Sequence, residues 1–293
     1  MASKREENNQ GTSIFTEIRT RYNLLSSPQK CIADFILNNP HEVILLSISN
    51  LAAKCQTSEP TILRFLKKLD YSSYQVFKVN LAQEVSKSNL QTSFIFEEIK
   101  ENDSLGEIKK KIIHTTILSI QDSLAILDDA SLERAVDTLL NSTRIIAIGV
   151  GSSASIANDA YHKFSRLGLN VVCCNDPHMM SIICTHAKPG EVILAFTHSG
   201  ESREILDCAE LAKQNKVPII VVTSYPNSSI TKYASILLLS STNEMRFHSD
   251  AVISRIIQLV IIDVLQTNIL LRLGEQGIIN LNKSRIAVAK KKT

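Results

Sequence analysis

SISNLAAKCQTSEPTILRFLKKLDYSSYQVFK, residues 47–78, holds two short amphipathic segments on either side of a tight break. Ile48, Leu51, Ala52 and Cys55 recur at i, i+3, i+4 and i+7, which puts them on one apolar face of a first helix. The chain breaks at Gln56-Thr57. Ser58 is then placed to cap a second helix, with Glu59 in its first turn, where a carboxylate complements the helix dipole, and Pro60 beside it. Ile62, Phe65, Leu66 and Leu69 form its inner face. Thr61, Arg64 and Lys68 project together from the outer face, flanked by Lys67. Two short helices joined by a three- to four-residue turn, the second with a basic outer face, form a helix-turn-helix. Such a helix fits the major groove, where Arg64 can bond a guanine edge bidentately. Thr57, Ser58 and Lys78 complete the set expected to meet DNA. An ordinary solvated helix would also carry Arg64, Lys67 and Lys68; the cap, the turn and the small-residue first helix favour DNA. Gln56 stands where such turns often carry glycine, and a positive φ there costs on the order of 1 kcal/mol. Tyr71, Tyr74 and Phe77, three residues apart, fit a core face better than base-stacking groups.

Outward from this segment, the chain reads as two domains, as its 293 residues suggest. Residues 1–13 are polar and expected to be disordered, 14–86 read as helical throughout, and 87–105 read as a linker. Residues 106–288 form a second domain, and 289–293 a frayed basic tail. Residues 1–87 hold 11 Lys and Arg against 8 Asp and Glu, while the remainder holds 21 against 21, so the whole net charge of +3 sits at the helix-turn-helix end. The start, MASKREENNQ, lacks an apolar signal core, which predicts a cytoplasmic protein. Six cysteines without a C-x-x-C pair read as buried free thiols. The stretch Ile256–Leu271 is too polar for a membrane span, with Gln258, Asp263, Gln266, Thr267 and Asn268 inside it, and reads as part of a buried or subunit-pairing helix, Ser249–Arg272.

After a helical pattern from about Asp103 to Leu140, β-branched runs alternate with helical ones: Arg144–Ile148, Asn170–Cys173, Glu191–Phe196, Pro218–Thr223 and Ile236–Leu239. Strands separated by amphipathic helices predict a five-stranded parallel sheet flanked by helices on both faces. The first strand ends in Gly149-Val150-Gly151-Ser152-Ser153-Ala154 and runs into a helix. Its glycines permit a sharp turn, and Ser152 and Ser153 bring hydroxyls and amides to a helix N-terminus, an anion site. Taken alone this loop also imitates a dinucleotide fingerprint, with Asp176 after the second strand. The third strand ends in Thr197-His198-Ser199-Gly200-Glu201-Ser202 and opens another helix, and two hydroxyl-rich loops side by side suit one phosphate held by neutral donors.

With those residues in view, the chain from about 14 to 285 resembles the RpiR family of regulators, an N-terminal all-α helix-turn-helix domain joined to an α/β sugar isomerase (SIS) domain. The match is carried by Ser58-Glu59-Pro60-Thr61, Arg64-Phe65 and Lys67-Lys68-Leu69. In the second domain it rests on Gly149-x-Gly151-Ser152-Ser153, Thr197-His198-Ser199-Gly200-Glu201-Ser202, Thr223-Ser224-Tyr225-Pro226-Asn227-Ser228 and Ser254-Arg255-Ile256. Gln56 and Asp70 depart from expected glycines, and Thr197 stands where serine is commoner. The resemblance implies a transcriptional regulator of sugar metabolism genes, read as a repressor, with a double-stranded DNA operator, a phosphosugar effector and a homodimer or higher homo-oligomer as partners, and no membrane partner. Its effector site would comprise Gly151, Ser152, Ser153, Thr197, His198, Ser199, Gly200, Glu201 and Ser202. No cofactor is implied, and the seven histidines lack metal-ligand spacing. The rival reading is a sugar-phosphate isomerase or lyase, which needs a base; Glu201, Glu244, His198 and His248 are the candidates, and no spacing singles one out. A fused DNA-reading module favours the sensor over the enzyme.

Overall fold

The computed structural model describes residues 13–88, 99–240 and 252–289. The expected tails, most of the linker, and Glu244, His248, Ser249 and Asp250 lie outside those residues. The chain divides into two compact units between Ala125 and Ile126.

In the first unit the helices are α1 (Ile14–Thr20), α2 (Ser27–Asn38), α3 (Pro40–Leu45), α4 (Ile48–Lys54), α5 (Glu59–Lys68), α6 (Tyr74–Ser88) and α7 (Leu105–Ile126). Ile62, Phe65, Leu66 and Leu69 on the inner side of α5 are buried with Leu51, Ala52 and Cys55, and Tyr71, Tyr74 and Phe77 join the same core, so the aromatics pack rather than stack on bases. Burial pushes the Cys55 thiol up to about 11, which keeps it protonated. Cys174, Cys184 and Cys208 are buried too, whereas Cys31 is exposed on α2.

In the sequence the stretch from Asp103 to Leu140 reads as one helical pattern. The structure breaks it into α7 and α8 (Asp129–Asn141), because Asp128 caps α8 by accepting from the Ser131 amide at 2.8 Å. α7 belongs with the first unit: the Arg19 guanidinium of α1 forms a bidentate pair with Asp122 at 2.5 and 2.8 Å, both side chains buried.

The second unit runs α8, β1 (Arg144–Gly149), α9 (Ser152–Arg166), β2 (Val171–Cys174), α10 (Pro177–Thr185), β3 (Glu191–Phe196), α11 (Arg203–Gln214), β4 (Ile219–Thr223), β5 (Ile236–Leu239) and α12 (Val252–Ala289). The strands match the β-branched runs of the sequence within a residue. All pairings are parallel, in the order β2-β1-β3-β4-β5. Alternate strand residues feed two cores. Ile145, Ala147, Leu194 and Val222 meet α8, α9 and α12, and Ile146, Ile148, Ile193 and Val221 meet α10 and α11. α12 is two helices in series: Gly274 takes a non-helical conformation (φ 54°, ψ −131°) two residues past the expected end at Arg272, and a second helix follows it. Among the described residues it is the one helix long and apolar enough to cross a bilayer, yet Ile253, Ile257, Ile261, Leu265 and Ile269 are buried in the sheet core.

Candidate functional site

The break between α4 and α5 leaves Gln56 at φ 49°, and the turn after α5 leaves Asp70 at φ 61°, the left-handed positions where the sequence departs from glycine. Hydrogen bonds hold the first turn: the amides of Gln56 and Thr57 donate to the carbonyls of Ala53 and Ala52 at 3.2 and 2.9 Å. Ser58 occupies the N-cap position of α5, but its hydroxyl meets that of Thr61 at 2.9 Å instead of capping a backbone amide. Glu59 takes the Ser49 hydroxyl at 2.6 Å, tying α5 back to α4. Arg64 and Lys67 are exposed on the outer side of α5 with Ser58, while Thr57 and Thr61 are half-buried beside them.

Two of the expected contact residues also bond within their own domain. Lys68 donates to the Leu24 carbonyl at 2.9 Å, and Arg21 reaches the Lys68 carbonyl and pairs with Asp70 at 2.9 Å. Lys78 donates to the Leu46 carbonyl at 2.9 Å with its ammonium 5.6 Å from the centre of the Tyr74 ring. Both lysines fasten the domain to itself, an end that local spacing does not disclose because each acceptor lies more than thirty residues away.

In the second unit β1 and β3 are neighbours and pair Gly149 with Phe196, so the loops after them leave the sheet side by side. This is where the strand order reverses, and the crevice at such a point is where open parallel sheets hold ligands. Gly151 caps α9 with φ 57° and ψ −127°, a conformation nearly closed to other residues, and no side chain caps that helix. Ser152 is exposed at its first position and Ser153 is buried behind it. α11 likewise opens at Ser202 with no side-chain cap. By contrast, α8 and α10 of the same unit are capped by carboxylates, α10 by Asp176, which accepts from the Met179 amide at 2.9 Å. Asp176, the residue that suggested a dinucleotide, thus has a structural role as a cap. Two helix starts with positive dipole ends thus follow neighbouring strand ends, although on α9 the Ser153 and Ala154 amides already donate to the Val150 and Gly151 carbonyls at 3.1 and 3.2 Å.

The β3 loop is held from below. Thr197 is buried and its hydroxyl accepts from the Gly200 amide at 3.2 Å, while the Ser199 hydroxyl accepts from the Glu201 amide at 3.2 Å. Gly200 sits at φ 70°, and a Cβ there would lie 2.5 Å from Cβ of Ser228. The Glu201 carboxylate turns away from the crevice to the loop after β4 and accepts from the Ser229 amide at 2.7 Å. Hydrogen bonds from that amide and then from the Ser229 hydroxyl hold its carboxyl below the usual carboxylate range. His198 is half-buried, its Nδ1 3.0 Å from the Ser224 hydroxyl, which lies 2.9 Å from that of Ser240. The Tyr225 ring stands edge-on to the imidazole at 5.3 Å. Ser224, Ser228, Ser229 and Ser240 support these loops without being predicted as site residues; only the motif after the fourth strand signalled Ser224 and Ser228. Glu201 thus serves as a clamp between two loops, a poor position for the base an isomerase needs, and His198 is the candidate base left among the described residues.

A family model described as a helix-turn-helix domain of the rpiR family matches residues 12–88, and an SIS domain model matches residues 138–267. An HTH-type transcriptional regulator of Thermotoga maritima is 39% identical over 280 residues, spanning 95% of this chain and 99% of that one. The chain belongs to the rpiR family of helix-turn-helix transcriptional regulators. The regulator HexR of Pseudomonas aeruginosa is 31% identical over 262 residues, covering 89% of this chain and 90% of its own. Among solved structures, the Vibrio vulnificus NanR protein complexed with ManNAc-6P superposes with a TM-score of 0.61 at 24% identity, covering 95% of this chain and 99% of the other, which confirms the two-part fold. The sugar isomerase domain of an RpiR transcription factor from Sphaerobacter thermophilus superposes with a TM-score of 0.56 at 18% identity, over 61% of this chain and 98% of that one.

Proposed function

We propose that this rpiR-family regulator acts in the cytoplasm as a repressor whose grip on its operator is released by a phosphorylated sugar bound between the β1 and β3 loops. The observation that carries the reading is the pair of uncapped helix starts, at Ser152 and Ser202, opening beside each other where the strand order reverses. A phosphate dianion there would meet the positive ends of two helix dipoles together with the hydroxyls of Ser152, Ser199 and Ser202, neutral donors that suit an anion which must also leave. NanR of the same fold takes ManNAc-6P, a ligand of this class. Arg64 and Lys67, exposed on α5, are the groups proposed to read and hold DNA, with Thr57, Ser58 and Thr61 at the helix entry. Two copies would present their α5 helices to half-sites about 34 Å apart per helical turn, so a small effector-driven change in their separation would spoil simultaneous docking.

A panel of sugar phosphates screened by thermal shift tests the reading. At 100 times its dissociation constant the true effector adds about 2.7 kcal/mol of stability, a clear rise in melting temperature. Ser199→Ala combined with Ser202→Ala should remove that rise and the effector's influence on operator binding, while operator affinity without effector stays intact. A panel in which no phosphorylated sugar outperforms inorganic phosphate would defeat the proposal.

A further inference from the structure

α7 is amphipathic in the inverse sense. Its buried side carries Lys111, Thr115, Ser119, Asp122 and Ser123, satisfied in part by ion pairs of Lys111 with Asp103 at 2.7 Å and of Asp122 with Arg19. Its other side leaves Ile113, Ile117, Ile120 and Leu124 exposed by 50, 46, 39 and 88%. Four large apolar groups in water beside a polar buried face is the reverse of what a finished helix shows.

The spacing of the exposed four is 4, 3 and 4 residues, the a and d positions of two heptads, which is the pattern of a helix that packs along another helix. No Asp, Glu, Lys or Arg occurs between Lys111 and Asp122, so the centre of the stripe carries no fixed charge that would repel a like stripe, while the exposed Lys109 and Lys110 lie one turn before Ile113 on the same side. The set is also self-complementary on reversal. Turned end for end about a point between Leu118 and Ser119, Ile113 meets Leu124 and Ile117 meets Ile120, so a second, antiparallel α7 offers each residue an apolar partner.

We infer that the exposed face of α7 is a seam on which a second copy of this chain packs its own α7, antiparallel about a two-fold axis. The inference deepens the two-copy reading above by naming the surface. Four seam residues per copy are fewer than the roughly 20–30 a side of a standard interface, so the seam acts with a further contact between copies and sets its register.

Sedimentation of the full chain over nanomolar to micromolar concentration tests it. Ile117→Glu and Ile120→Lys, both at exposed positions, should each weaken the dimer at least tenfold with circular dichroism unchanged. Mixing the two variant chains should restore much of the loss, because residue 117 of one copy faces residue 120 of the other. A dimer constant unaltered by either substitution, with operator binding intact, overturns the seam and leaves the functional reading standing. Loss on substitution with no gain on mixing overturns the antiparallel register. An unchanged mass with a lowered melting temperature assigns the stripe to packing within one chain and overturns the seam, and an unsubstituted chain that is monomeric at micromolar concentration sinks both the seam and the two-copy reading.

Discussion

Gln56 and Gly200 both hold positive φ, 49° and 70°, a few residues ahead of α5 and α11, yet the two domains treat the strain in opposite ways. Around Gln56 a side chain is tolerated: the turn is fixed by backbone hydrogen bonds to Ala52 and Ala53, and the residue is exposed. At Gly200 there is no room, since the loop is pressed against Ser228 and Ile230, which belong to the segment after the next strand. The helix-turn-helix turn is a local device that any polar residue can fill at modest cost. The crevice loop is one of a stack of loops, and its conformation is shared with its neighbours. The same contrast runs through the groups proposed to meet the ligands. The first domain presents charged side chains, Arg64 and Lys67, on the outside of a helix, whereas the second presents neutral hydroxyls at two helix starts that no side chain caps. Long basic side chains suit a polyanion read from outside, and short neutral donors suit a small anion enclosed and released.

The contrast is broken most severely at Gly200. Gly200→Ala adds a methyl group 2.5 Å from Ser228 Cβ and 2.9 Å from Cγ2 of Ile230 in a left-handed conformation. Overpacking and backbone strain together should cost about 3 kcal/mol, read by calorimetry as a lower melting transition of the second domain, with effector binding lost. Retention of both wild-type transition and effector binding would show that the stacked loops give way more easily than their packing implies.

On the DNA side, the expected effect is smaller and discriminates among the basic residues. Arg64→Ala should cost about 1–3 kcal/mol of operator affinity and relax preference at one base pair, in competition binding with mutated operators. Lys68→Ala and Lys78→Ala should leave sequence preference unchanged, because their ammonium groups are held by the carbonyls of Leu24 and Leu46. A changed base preference in either lysine variant would place it at the groove after all.

Those lysines mark where legibility ended. The helix-turn-helix was readable because apolar period, cap residue and turn lie within 25 residues, and the strands because β-branched runs buried on both sides stand out from amphipathic helices. The crevice was readable as two Ser- and Gly-rich loops at strand ends, since the parallel order brings those ends together. What could not be read depends on partners distant in sequence: Lys68 with Leu24, Lys78 with Leu46, Glu201 with Ser229, and Arg19 with Asp122, which moves α7 into the first unit. The α7–α8 break escaped notice because Asp128 interrupts an apolar pattern that continues through Leu127 and Leu132 on either side.

Gln56→Gly sharpens the comparison from the tolerant side. Relief of left-handed strain returns on the order of 1 kcal/mol, and the added freedom of glycine in the unfolded chain takes back about 0.4–1 kcal/mol. The first domain's stability should therefore change by no more than about 0.6 kcal/mol, with operator affinity unchanged. A stabilisation well above that would mean that the turn stores strain the recognition helix uses.

The smallest expected effect concerns the clamp between the stacked loops. The Glu201 carboxyl is held below its ordinary range by the amide and then the hydroxyl of Ser229, so its folded value lies under its unfolded one. The contribution it makes is therefore fully present above the unfolded value, near 4.3, and fades as pH falls through the lower folded value. Glu201 is exposed, which screens the interaction, so global stability should hardly register its protonation. Effector affinity is the more sensitive readout, because the clamped loop carries Ser199 and Ser202. Between neutral pH and about pH 5 the clamp should contribute no pH dependence, and Glu201→Gln, which keeps an acceptor for the Ser229 amide but loses the charge, should weaken the effector slightly and equally across that range. A variant that binds effector far less tightly at neutral pH would mean that the carboxylate meets the ligand directly, and the division between a clamp behind the loops and neutral donors in front of them would fail.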